Sequence, residues 1–177
     1  ELMAIVELPP RQPALDLAMQ LDQFCADVDI QIGINVISQG HVFQGTKLRA
    51  LAEAAGMSLD LDGRFVRFDD EGNPLYLLTN MEATAFSADA MKSLSTHGIT
   101  FLLDVPRLAH GERVFNQMIE QARRFAESLH GVLVDDNRQP LPDSALDPIR
   151  RQVTQYQAAM ASRNIPAGGP LALRLFS

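Results

Sequence analysis

The chain has 177 residues and a mass of 19.5 kDa, with 46% hydrophobic and 21% charged residues. That is the composition of one soluble globular domain, able to bury roughly 70% of the surface its unfolded form exposes. Fifteen basic residues, thirteen of them Arg, stand against twenty-two acidic ones, a net charge of −7. This balance is unsuited to sequence-independent nucleic-acid binding, which needs clustered positive charge to displace counterions. A single cysteine, Cys25, excludes an intramolecular disulfide and a Cys-based metal cluster. No apolar run approaches the ~20 residues of a membrane helix. Residues 3–6, followed by Glu7, are too short for a signal peptide.

In chain order, Pro13 opens a helical stripe of Ala14, Leu17, Ala18, Leu21, Phe24 and Cys25. Residues 30–37 alternate strictly. Ile30, Ile32, Ile34 and Val36 face one way and Gln31, Gly33, Asn35 and Ile37 the other, which predicts a strand with one buried face. Leu48, Leu51, Ala52 and Ala55 predict a short helix stopped by Gly56. Residues 64–68 and 75–81 predict two strands, with a hairpin turn over residues 69–74. Ser87 predicts the cap of a helix over 88–96. Residues 99–105 predict a strand that Pro106 ends.

Val114, Phe115, Met118, Ile119, Ala122, Phe125, Ala126 and Leu129 mark a long amphipathic helix. Residues 132–134 form a brief strand. Asp147, with Pro148 in the first helical position, predicts the start of a helix buried through Ile149, Val153, Tyr156 and Met160. Gly168, Gly169 and Pro170 end it. Alternation over residues 171–176 predicts a last strand added to a sheet edge, with Leu171, Leu173 and Leu175 towards the core. The alternative is a tail that docks in a groove of its own or a neighbouring molecule. The pattern is α+β, an antiparallel sheet with helices on one face.

Catalytic chemistry is not written in this chain. His41, His97, His110 and His130 are scattered, with no pair on one helical face, so no metal or other cofactor is expected. Residues 60–63 resemble a calcium loop only in outline, lacking the third acidic ligand and the closing Glu, and predict a turn. Asp135 and Asp136 are adjacent, so their side chains diverge on an extended segment, which predicts a loop or cap role. Cys25 lies on an apolar stripe and reads as core. There is no P-loop or nucleophile elbow.

Several strands are apolar on both faces. Leu75, Leu77, Thr79 and Met81 share one parity, and Thr100 and Leu102 oppose Phe101, Leu103 and Val105. Spacing leaves two readings open: a partner-binding strip on an uncovered face, or a second layer supplied by the N-terminal helix or the C-terminal tail.

Three short pieces carry a resemblance: Leu78-x-Asn80-Met81, the run from Thr100 to Pro106, and the run from Gly131 to Arg138. Their order and spacing over roughly residues 30–163 resemble the C-terminal domains of the bacterial ZipA family. The resemblance implies a largely antiparallel six-stranded sheet with three helices on one face and no enzymatic activity. It implies a partner, the C-terminal tail of FtsZ, the tubulin-like GTPase of the division ring. It also implies an inner-membrane location, with this domain on the cytoplasmic side and a membrane helix and linker expected before Glu1.

Carried over residue by residue, the peptide groove would comprise Gln31 and Gly33, Phe65, Thr79, Met81 and Ala83, and Thr100 and Leu102. Gln31 stands where the family tends to be aliphatic, Ala83 where a Lys can contact the tail, and Leu102 where an aromatic is found. Residues 1–29, an extension with a helix, and 164–177, a tail, have no counterpart in the family. The competing classes are an RNA-recognition-type sheet, which needs exposed aromatics and basic charge, and a small enzyme whose carboxylates converge in the fold.

Overall fold

The computed structural model describes residues 31–176. The helix predicted from Pro13, Cys25 within it, and Ile30 lie outside these residues. Six strands, β1 (Gln31–Ile37), β3 (Met57–Leu59), β4 (Phe65–Phe68), β5 (Pro74–Asn80), β7 (Gly98–Asp104) and β8 (Val132–Val134), form one antiparallel sheet. Their order across it is β3-β4-β5-β7-β1-β8. The two-residue strands β2 (Phe43–Gln44) and β6 (Ser95–Thr96) pair separately. The expected β4–β5 hairpin forms, closed by Asp69, whose Oδ1 accepts the N–H groups of Glu71 (2.9 Å) and Asn73 (2.8 Å).

Helices α1 (Gly45–Ala54), α2 (Gly111–Leu129) and α3 (Asp143–Ser162) bury one face of the sheet. Strand alternation sets which face: Ile34, Val36, Leu78, Ile99, Phe101 and Leu103 are all essentially inaccessible. Helix α2 crosses β1, β5, β7 and β8 with the apolar stripe read from its sequence. Its Phe125 ring meets Phe101 edge-on, with centroids 5.2 Å apart. Each such side chain contributes about 1.5–3 kcal/mol when fully buried. Gln157 of α3 ties the layers together. Its amide donates to the carbonyls of Val105 and Leu108 (both 2.9 Å) and accepts the N–H of Gly111 (3.0 Å).

Three local expectations are corrected. No α-helix covers 88–96. Ser87 Oγ does accept the Ala90 N–H (3.0 Å), but only a 3-10 turn, Ala90–Lys92, follows. The chain is held instead by α1, where the Gly45 N–H donates to the Leu94 carbonyl (2.7 Å) and Met91 and Leu94 are buried. Helix α3 starts at Asp143, four residues before Asp147, and Pro148 lies inside it. One lost backbone donor is tolerated because Leu146 and Val153 anchor the helix on the core.

Residues 171–176 are not a strand. Pro170–Leu175 is a short helix, α4, with Pro170 in its first turn. It buries Ala172 and Phe176, one helical turn apart, against Met160 and Ile165. Leu171 and Leu175 are 38% and 40% exposed rather than turned to the core. Arg107 Nη1 donates to the carbonyls of Leu173 and Phe176 (both 3.2 Å), satisfying the helix end that a strand would have paired.

A half-exposed apolar strip on the helix-free sheet face

None of the helices among the described residues packs on the second face of the sheet, and register arranges its side chains in rows. Gly33 pairs with Leu102, Leu102 with Leu77, and Leu77 with Val66. In the next row Asn35 pairs with Thr100 and Thr100 with Thr79, while Val134 flanks Asn35 on β8. In the third, Ile37 pairs with Gly98 and Val132, and Met81 closes the row through its N–H to the Gly98 carbonyl (3.1 Å). Gly98 is what lets Met81 lie across the strand: a Cβ there would come within 2.6 Å of Met81 Sδ.

Gly33, Ile37, Leu77, Thr79, Met81, Thr100, Leu102 and Val132 are each half-buried. Beneath them Asn35 is 5% exposed and fully engaged. Its Oδ1 accepts the Thr100 hydroxyl (2.6 Å), and its Nδ2 donates to the Asp135 carbonyl (3.1 Å) and to Asp136 Oδ1 (3.4 Å). The strip is therefore apolar with its polar floor already satisfied, and it offers neither nucleophile nor general base.

The sequence-predicted residues divide. Gly33, Thr79, Met81, Thr100 and Leu102 share the strip. Gln31 sits at its end, paired with Asp104 and exposed. Ala83 is exposed in the turn that Asn80 closes by accepting the Glu82 N–H (3.0 Å) and donating to the Thr84 carbonyl (2.7 Å).

Phe65 is excluded. It is 1% exposed, pairs with Leu78 on the core face, and packs its ring 5.6 Å from that of Phe86. A one-residue difference in strand parity decides this, because neighbouring side chains point to opposite faces. Val66, paired with Leu77 and 4% exposed, is the β4 residue that shares the parity of the strip. Asn35 and Ile37 join the strip through the parity they share with Gly33, which is legible in the sequence. Asp136 is not legible there, because only the β1–β8 pairing brings it to Gly33.

Beyond Leu77 and Leu102 the face opens into a trough of about 690 Å³. Gln31, Arg67, Arg107, Arg113, Asp69 and Asp70 also line it, while Thr79, Met81 and Thr100 lie outside. The trough is mixed in charge and only meets the end of the strip. Both sheet edges are short. The outer side of β8 is taken by the returning chain, with Leu141 N–H on the Leu133 carbonyl (3.1 Å) and Val134 bridged to Pro140.

At the opposite rim, residues 60–63 form the expected turn. Asp60 Oδ1 accepts the N–H groups of Asp62 (3.0 Å) and Arg64 (2.9 Å). Burial alone would raise the Asp60 carboxyl. The Arg64 N–H, the Arg64 guanidinium and the Asp62 N–H outweigh it and hold the group below the usual aspartate range. Among the described residues no three His, Cys, Asp or Glu side chains converge on a metal position. None of their helices is long and apolar enough to cross a membrane.

The sequence profile of the family described as "ZipA, C-terminal FtsZ-binding domain" matches residues 30–152. The chain belongs to that family. Its members are non-enzymatic cell-division proteins. Among similar proteins, the cell division protein ZipA of Marinobacter nauticus is 28% identical over 135 residues, covering 73% of this chain and 40% of its own length. That of Vibrio vulnificus is 29% identical over 123 residues, covering 67% of this chain and 40% of its own length. That of Vibrio parahaemolyticus is 29% identical over 164 residues, covering 89% and 48%. The chain thus spans about half or less of these relatives. Of the two competing classes, the family excludes the enzyme. The RNA-recognition type lacks its aromatics, since no residue of the three rows is aromatic.

Proposed function

We propose that this chain binds the C-terminal tail of FtsZ on the helix-free sheet face and links the division ring to the inner membrane through an anchor outside it. The observation that carries the reading is the continuous half-exposed strip from Met81 through Thr79 and Thr100 to Leu102, in a family described by FtsZ binding. Its length of three strand rows suits a short peptide with aliphatic and aromatic anchors. Met81 suits such a surface because its unbranched thioether re-packs around different side chains. The covered edge of β8 supports face docking over strand addition. The anchoring role and the cytoplasmic placement rest on the family alone.

Titration of the purified chain with a synthetic FtsZ C-terminal peptide from the same organism tests the reading. Met81→Ala is expected to weaken binding by ~1–3 kcal/mol, the range of a central contact. Met81→Lys is expected to weaken it further, because a charge would be desolvated beneath the peptide. Both variants should keep the melting temperature. Unchanged affinity in Met81→Lys overturns the groove.

A further inference from the structure

We propose that Asp136 is a specificity-determining residue of the groove, selecting a tail that carries a lysine or arginine beside its apolar anchors. This rests on the groove reading above. The β1–β8 pairing sets Val134 against Asn35, so the next two residues turn back beside the strip. Asp135 is spent within that turn, its Oδ1 accepting the N–H groups of Asn137 (2.8 Å) and Gln139 (2.9 Å). Asp136 is not. Its Oδ1 receives the Asn35 amide (3.4 Å), and the residue is otherwise exposed and makes no ion pair among the described residues.

Two features place this carboxylate at the margin of the strip, beside Gly33, rather than at large in water. The Asn35 amide is fixed from behind by the Thr100 hydroxyl (2.6 Å) and by its own bond to the Asp135 carbonyl (3.1 Å). Gly33 leaves the space beside it open: a Cβ there would lie 3.6 Å from Asp136 Oδ1 and 3.4 Å from Leu102 Cδ2. A peptide seated on Leu102 therefore covers Asp136 as well. An uncompensated carboxylate under that cover is costly, whereas a cation on the peptide converts it into a charge-assisted hydrogen bond. Arg138, two residues on, forms no ion pair with it. The chain's net charge of −7 adds attraction of the same sign at longer range.

The test is a double-mutant cycle. The wild-type chain and Asp136→Asn, which keeps an acceptor for Asn35, are titrated with the parent tail peptide and with a version whose Lys and Arg are replaced by Gln, at low and high salt. Asp136→Asn is expected to weaken the parent peptide about fivefold, to flatten the salt dependence, and to leave the Gln version unchanged. Equal weakening of both peptides would mean that Asp136 only positions Asn35, which overturns the proposal. So would unchanged affinity and salt dependence, or tight binding of a tail with no basic residue, and in these cases the groove stands. If the wild-type chain fails to bind the parent peptide, the groove reading falls and takes Asp136 with it.

Discussion

The Thr100 hydroxyl donates to Asn35 Oδ1 at 2.6 Å, across the β1–β7 pair and beneath the open face of the sheet. Thr100 is half-buried and Asn35 only 5% exposed, so the bond has little competition from water. Thr100→Val keeps the branched shape a strand favours but leaves a buried acceptor empty. It is expected to lower stability by about 1–3 kcal/mol in urea unfolding, with Thr100→Ser recovering most of the loss. A Thr100→Val chain as stable as wild type would show that water reaches Asn35.

Phe65 gives a sharp contrast with Met81. Its side chain fills the core between Leu78 and Phe86. Phe65→Ala is expected to cost about 3–5 kcal/mol of stability. The fraction that remains folded should bind the FtsZ peptide with unchanged affinity. A loss of affinity without a loss of stability would return Phe65 to the groove.

The C-terminal helix is a structural brace. Phe176 and Ala172 close a small cluster with Met160 and Ile165, and Arg107 caps the helix end. Phe176→Ala is expected to cost about 3 kcal/mol, the low end for such a truncation because the cluster is peripheral. Removing residues 167–177 should lower the melting temperature at least as much. Peptide affinity should not rise, because α4 does not pack on the strip. A rise would revive the alternative of a tail docked in the groove.

Acid should loosen the fold. In Asp69, the Asn73 N–H is the largest influence and, with further turn N–H groups, holds the carboxyl below its ordinary value. In Glu82 the His97 hydrogen bond does the same, and Asp60 is held low by Arg64. Because these folded-state values are depressed, the native chain binds fewer protons than the unfolded one in acid. Their contribution is present above the unfolded values of ~4 and is lost as pH falls through the folded ones. Thermal melts from pH 7 to pH 2 should be flat at first and decline below about pH 4. The groups are solvent-screened, so the decline should be gradual. Stability that rises on acidification would contradict the sign.

Much of this protein is determined locally. Alternation over residues 30–37 fixes which side of β1 is buried, because side chains project with a period of two. The stripe from Val114 to Leu129 fixes α2, and Asp69 with its following turn residues fixes the β4–β5 hairpin, because each signal is contained within a few neighbouring residues. The spacing of three short motifs sufficed to place the chain in its family. What the tertiary structure alone decided are the choices where two local solutions have similar energy. Residues 171–176 alternate like a strand, yet they coil because Met160, Ile165 and Arg107 offer a helix a buried face and a cap. Ser87 caps a turn that α1 stops from lengthening, since Gly45 claims the Leu94 carbonyl. Phe65 and Val66 are both apolar, and only pairing with Leu78 and Leu77 assigns them to opposite faces. Asp136 comes to rest beside Gly33, about a hundred residues away in sequence. No local pattern encodes that meeting, because it depends on the register of β8 against β1.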